Sequence, residues 1–251
     1  MPFSLDVVFD FMSIEPSKVW ALLVESHPSL LAAHAECEFD DGHYSVADVP
    51  RRIQARSVDR PHFNVKMSNG ELFYGHIRNQ RQSLIWIREL VVDLADADQW
   101  VFPFLAEEGF VQAWVYDAEY NKWQNAEDPL TYEAEGIPCE HLPRRSNGLP
   151  FPLEKEVIDT SQNPGRRQIR MGYVEAVGAV MWLSNRFAKR VGLNLRELSF
   201  VQWLSTQQVS KSVLRVQVAD HPFACDHNNE RSLQERLRSI LFPSADVLAE
   251  G

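Results

Sequence analysis

Two tripeptides hold the side chains best suited to chemistry, Cys139-Glu140-His141 and Cys225-Asp226-His227. Two thiols and two imidazoles together match the ligand number of a structural zinc site. The spacing inside each pair is shorter than zinc motifs use, and the pairs lie far apart along the chain. A Cys–His nucleophile would need contact in space, which no spacing guarantees. A free cysteine is usually a small buried hydrophobe and an isolated histidine a surface or core residue, and both tripeptides are read that way. Asp93, Asp96 and Asp98 form a third candidate cluster. They precede Gln99–Phe102 and suit the start of a helix, where carboxylates cap free N–H groups and complement the dipole. No GxSxG elbow, HExxH pair, phosphate-binding GKS/GKT loop, GxGxxG turn or Glu-x-Lys pair occurs. No catalytic residue, metal or cofactor is therefore assigned, and an enzyme is not expected.

Charge is sorted along the chain. Residues 89–141 carry thirteen acids and one base, Lys122, and residues 1–50 carry nine acids and one base, Lys18. Residues 51–88 hold eight bases against two acids, and 144–215 hold twelve against five. A surface built for solubility alone mixes its signs. Blocks of one sign suggest a field aimed at a partner, and the acidic blocks are rich in aromatic residues, including Trp100, Trp114 and Trp123. The alternative is that folding brings opposite blocks together. With a net charge of −10 the chain is not expected to bind nucleic acid, whose phosphates the surface would repel. The three cysteines are odd in number and widely spaced, which fits a reducing cytoplasm rather than a disulfide framework. Residues 1–10 lack the basic start and apolar run of a secretory signal, and no apolar stretch is long enough to span a membrane.

Strand-like and helix-like segments alternate. Phe3–Phe11, Phe63–Met67, Leu72–Arg78, Ser83–Val91 and Phe110–Tyr116 read as strands, with Tyr120–Trp123 continuing the last past a turn. Ser68-Asn69-Gly70 supplies a hairpin turn. Pro16 opens a helix faced by Val19, Trp20, Leu22 and Leu23; Leu30–His34 and Ala47–Arg56 are further helices. Residues 124–165, rich in proline and glycine, form one long irregular loop anchored by Leu130, Tyr132, Ile137, Leu142, Leu149 and Phe151. Glu175–Val191 has helical spacing, Lys189 and Arg190 in its last turn and Gly192 as its left-handed cap. Gly178 within it implies close approach of another backbone. Leu198–Leu204 and Ser212–Val218 follow as strands, and a helix capped by Asn228 or Asn229 and stopped by Pro243 closes the chain. Trp86, Trp182 and Trp203 belong to the core. The sum is a single α+β domain with a largely antiparallel sheet flanked by helices.

The segment Asn163-Pro164-Gly165-Arg166-Arg167, followed by Gly172-Tyr173-Val174-Glu175-Ala176-Val177-Gly178-Ala179-Val180-Met181-Trp182-Leu183, carries a resemblance. It resembles a stretch of bacterial immunity proteins from polymorphic-toxin loci. In particular it is similar to the immunity family paired with restriction-endonuclease-type toxins beside type VI secretion effectors. The resemblance implies a cytoplasmic α+β protein without enzymatic activity that binds and silences a cognate nuclease toxin. Tyr173, Glu175, Gly178, Met181 and Trp182 would be structural, and no toxin-contacting residue carries over.

Charge and resemblance converge on one expectation. A nuclease presents a basic groove, and an acidic inhibitor gains association rate and selectivity against it. The expected footprint is Asp117, Glu119, Trp123, Glu127, Asp128, Glu133 and Glu135, or the earlier block Glu36, Glu38, Asp40 and Asp41. Trp123 is the expected exposed anchor. Two other classes share these features: a small enzyme using the Cys/His or acidic residues, and an acidic secretion adaptor, which should expose a larger apolar groove.

Overall fold

The computed structural model describes residues 3–28, 36–39, 42–55, 62–67, 70–90, 93–225 and 228–243. The Leu30–His34 helix, Ser68 and Asn69 of the hairpin turn, Asp40, Asp41, Asp226 and His227 lie outside these residues. In chain order the elements are β1 (Phe3–Asp10), α1 (Pro16–Ser26), β2 (Glu36–Phe39), β3 (Gly42–Ser45), α2 (Val49–Ala55), β4 (Phe63–Met67), β5 (Gly70–Ile77) and β6 (Gln82–Leu90). Next come α3 (Ala97–Val101), β7 (Phe110–Tyr116), α4 (Ala118–Asn125), α5 (Pro129–Ala134), β8 (Arg144–Ser146), β9 (Glu156–Ile158), β10 (Gln168–Arg170) and β11 (Tyr173–Glu175). The chain continues through β12 (Val180–Ser184), α6 (Asn185–Val191), α7 (Leu195–Leu198), β13 (Ser205–Ser210), β14 (Val213–Gln217) and α8 (Asn228–Leu241).

Among the described residues ten strands join in one antiparallel sheet in the order β13-β14-β12-β7-β1-β6-β5-β4-β2-β3, with β8–β9 and β10–β11 as separate two-stranded ribbons. Strand β1 lies near the middle, between β6 and β7. Because alternate side chains leave a strand on opposite faces, one apolar strand can feed two cores. Phe3, Leu5, Val7 and Phe9 enter the first, under α1, α2 and α3; Val8 enters the second, under α6, α7 and α8. The fold is thus α+β, with helices on both faces of an antiparallel sheet.

Helix α1 begins with Pro16 in its first turn and buries Val19, Trp20 and Leu23, as its spacing predicts. The region 175–191 departs from expectation. It is not one helix: Tyr173–Glu175 and Val180–Ser184 are strands, and only Asn185–Val191 is helical. The cause is double-sided burial. Val180 and Trp182 enter the first core, Met181 and Leu183 the second, so the polar alternation that marks a strand is missing. Ser184 ends the strand and starts α6 by accepting from Arg186 N and Phe187 N. The predicted end is found: Gly192 adopts φ 73°, and Leu193 N donates to Ala188 O.

Two other expected strands are also corrected. Tyr120–Trp123 belongs to α4, because Asp117 caps the chain there by accepting from Tyr120 N at 2.7 Å. Leu198–Leu204 is the end of α7 and an irregular turn; Asn194 caps α7, and Leu198 is buried from a helix rather than a strand. The stretch 124–165 holds more regular structure than a loop, namely α5 and the β8–β9 ribbon. Of its six expected anchors, Tyr132 and Leu142 pack inward, whereas Leu130, Ile137, Leu149 and Phe151 are exposed. Trp86 and Trp203 are only partly buried, and Trp182 is fully so.

Candidate functional site

The acidic segment after β7 is built on a small third core. Tyr132, Cys139 and Ile158 form its centre, with Trp123, Ala126 and Leu142 packed around them. Trp123 is half-buried: its ring lies 5.0 Å from that of Tyr132, and Lys122 Nζ sits 4.7 Å from its centroid. Cys139 is thus a buried packing residue and His141 is exposed, while Cys225 is tied through its backbone N–H to Glu230 of α8. Among the described residues no group of three or more His, Cys, Asp or Glu side chains is placed to hold a metal.

The expected footprint residues divide by what they touch. Asp117 caps α4. Asp128 caps α5 through Leu130 N and pairs with Lys155 at 3.4 Å. Glu127 takes Arg145 at 2.7 Å, and Glu135 takes Lys122 at 2.7 Å. These carboxylates have local structural duties, and their partners Arg145 and Lys155 come from the basic block. Glu119, Glu133 and Glu140 are exposed and make no ion pair among the described residues. Glu36 and Glu38 lie on β2, toward one edge of the sheet.

Pairing between blocks recurs elsewhere. Asp10 takes both Arg186 and Arg190, and Asp98 accepts Arg215 Nε at 3.0 Å. Asp98 of the acidic trio therefore serves the sheet rather than a helix cap. Folding neutralises part of each charged block and leaves a smaller acidic surface than the linear count implies.

Sequence reasoning missed two features. The first is apolar. Leu149, Phe151 and Leu153, on the turn of the β8–β9 ribbon, are exposed, Phe151 by 89%, and Leu130 beside Asp128 is exposed as well. The Asp128–Lys155 and Glu127–Arg145 pairs hold the base of that ribbon against the start of α5. Proline-rich sequence is read as loop, and nothing in it distinguishes an anchoring Phe from a presented one.

The second is Asp6, 1% exposed on β1, with Trp86 and Trp114 as its cross-strand neighbours. Tyr116 Oη donates to it at 2.9 Å, and Arg167 Nη1 lies 3.5 Å away. Burial raises its pKa to about 6, against the opposing pull of Arg167, the Tyr116 hydrogen bond and Arg88. A carboxyl titrating there suits acid–base work, but this one is sealed inside the packing, so its role is structural. Arg167 ends the segment 163–167, which is clamped on both sides. Asn163 and Gly165 bond Gln124 of α4, Arg167 N bonds Asn125, and Arg238 of α8 donates to Pro164 O and Arg166 O. The residues behind the resemblance are thus packing residues: 163–167 bridges α4 and α8, Val174, Ala176, Val177, Met181 and Leu183 enter the second core, and Val180 and Trp182 enter the first.

With the architecture in hand, comparison with known proteins gives a fold and no family. No family model matches the chain, and no curated protein matches it. Among solved structures it is similar to the Pseudomonas aeruginosa T6SS protein PA0821, with a TM-score of 0.55 and 8% identity over 96% of this chain and 73% of that one. At this identity the likeness is one of fold. Among the described residues no helix is long and apolar enough to cross a membrane.

Proposed function

We propose that this chain is an immunity protein of a type VI secretion-linked toxin pair. In this reading it has no catalytic activity of its own, acts in the cytoplasm, and binds and neutralises a cognate nuclease toxin. The observation that carries the reading is the surface mounted on the third core. It carries a presented apolar tip, Leu149, Phe151 and Leu153, on the β8–β9 ribbon, and exposed acids that make no ion pair among the described residues, Glu119 on α4, Glu133 on α5 and Glu140 after it. An apolar centre that desolvates and an acidic rim that steers are what a binder of a basic protein needs. The fold likeness to a T6SS protein and the immunity-like segment 163–183 support the same reading. Co-expression with a nuclease toxin domain, if one is encoded by a neighbouring gene, tests it. Cells carrying both should grow, and cells carrying the toxin alone should die; equal killing with abundant folded protein present would refute the reading.

A further inference from the structure

Two adjoining cavities of about 540 and 550 Å³ open around α6 and the turn between β13 and β14. Both are lined by Asn185, Lys189 and Lys211, and the second adds Arg196 and Ser199. Neither shares a residue with the surface around Phe151.

Electrostatically the second cavity is the opposite of the chain as a whole. The protein carries a net charge of −10, yet among the described residues no carboxylate lines this cavity. Lys189, Arg196 and Lys211 make no ion pair among the described residues. Where the first cavity brings in acids they are engaged, Glu107 by Lys18 at 2.6 Å and Glu108 by Arg186 at 3.8 Å. The nearest acid along the chain, Glu197, accepts from Asn194 Nδ2 at 3.0 Å. Ser199 and Asn185 add neutral side-chain donors that make no other bond among the described residues. Leu193, Leu195 and Ala188 supply an apolar wall.

We infer that this cavity binds a small molecule bearing a diphosphate, of the nucleoside-diphosphate class. Three cations in the lining, Lys189, Arg196 and Lys211, match the roughly three negative charges of a diphosphate at neutral pH. The volume falls within the roughly 300–1,000 Å³ of small-ligand sites, so an organic body has room against the apolar wall. Reach separates such a ligand from nucleic acid. Screening confines each field to about 8 Å at physiological salt, so a compact diphosphate meets only the local cations. A long duplex would also run across the acidic surface.

Calorimetric titration of the full chain with ADP, pyrophosphate and a duplex DNA oligonucleotide tests this. ADP should bind, with pyrophosphate several-fold weaker for want of the apolar contact, and the duplex should not bind. Lys189→Glu with Lys211→Glu should weaken ADP at least tenfold with the circular dichroism spectrum unchanged. If the double reversal fails to fold, Lys211→Ala alone, at an exposed turn, should still weaken ADP several-fold. Absence of binding by both ADP and pyrophosphate at millimolar concentration would overturn the inference. So would ADP binding unaffected by the substitutions, or duplex binding through these same lysines without ADP binding.

Discussion

The indole Nε1 of Trp182 donates to Asp98 Oδ1 at 3.0 Å, tying the acidic segment before β7 to strand β12 of the sheet. Trp182 is fully buried, and the same oxygen accepts Arg215 Nε at 3.0 Å. Asp98→Ala would strand a buried N–H and a guanidinium. Each such loss costs about 1–3 kcal/mol, so the variant should lose about 3 kcal/mol in urea unfolding with an unchanged denaturant slope. Partner binding should be unaffected where the protein remains folded.

Gly178→Ala should be as damaging for a steric reason. A Cβ there would stand 2.4 Å from Val115 O and 3.1 Å from Trp114 Cβ. The first contact is backbone, so β7 or the irregular 176–179 stretch must move, at a cost of about 3 kcal/mol. An unchanged melting temperature would contradict this packing.

Asp6 gives a pH dependence of definite sign. Its carboxyl has a raised pKa of about 6 in the fold, so folding takes up a proton between about pH 4 and 6. Its contribution to stability is therefore greatest below about pH 4, declines as pH rises through that window, and is level above it. The full swing is on the order of 3 kcal/mol by linkage. Asp6→Asn should flatten this part of the profile, as measured by urea unfolding at several pH values; a slope identical to that of the native chain would show that another group is responsible.

The proposed binding surface divides into two predicted behaviours. Reversing Glu119 and Glu133, which make no ion pair among the described residues, should slow association with the proposed partner several-fold and leave stability within about 0.5 kcal/mol. Reversing Glu127 and Asp128 should instead loosen the β8–β9 ribbon by releasing Arg145 and Lys155, with an effect of about 1 kcal/mol per exposed pair. Phe151→Ala should speed release, costing about 2 kcal/mol of affinity without altering the fold. Stopped-flow kinetics separates these outcomes, and equal effects of both reversals on association would remove the distinction.

Much of the architecture was legible in the sequence where one physical signal acted alone. Phe63–Met67 and Phe110–Tyr116 are strands with the predicted bounds, and Gly192 caps its helix because a left-handed residue is needed there. Gly178 was legible as a close approach, although it sits in the irregular stretch before β12 and not in a helix. Val180–Ser184 was not legible, because burial on both faces erases alternation. At the candidate site, the acidic residues were visible but their duties were not. Whether Glu127 faces solvent or Arg145 depends on a ribbon that only the folded chain brings alongside. Phe151 offered no signal at all, since exposure of a single aromatic ring is decided by what fails to pack against it.

Size exclusion with light scattering, on this protein mixed with a candidate nuclease toxin domain, tests the central claim most directly. At micromolar concentration the two should co-elute as one complex, and nuclease activity across the titration should fall in proportion to the complex formed. Separate elution, with cleavage undiminished by excess protein, would contradict the account.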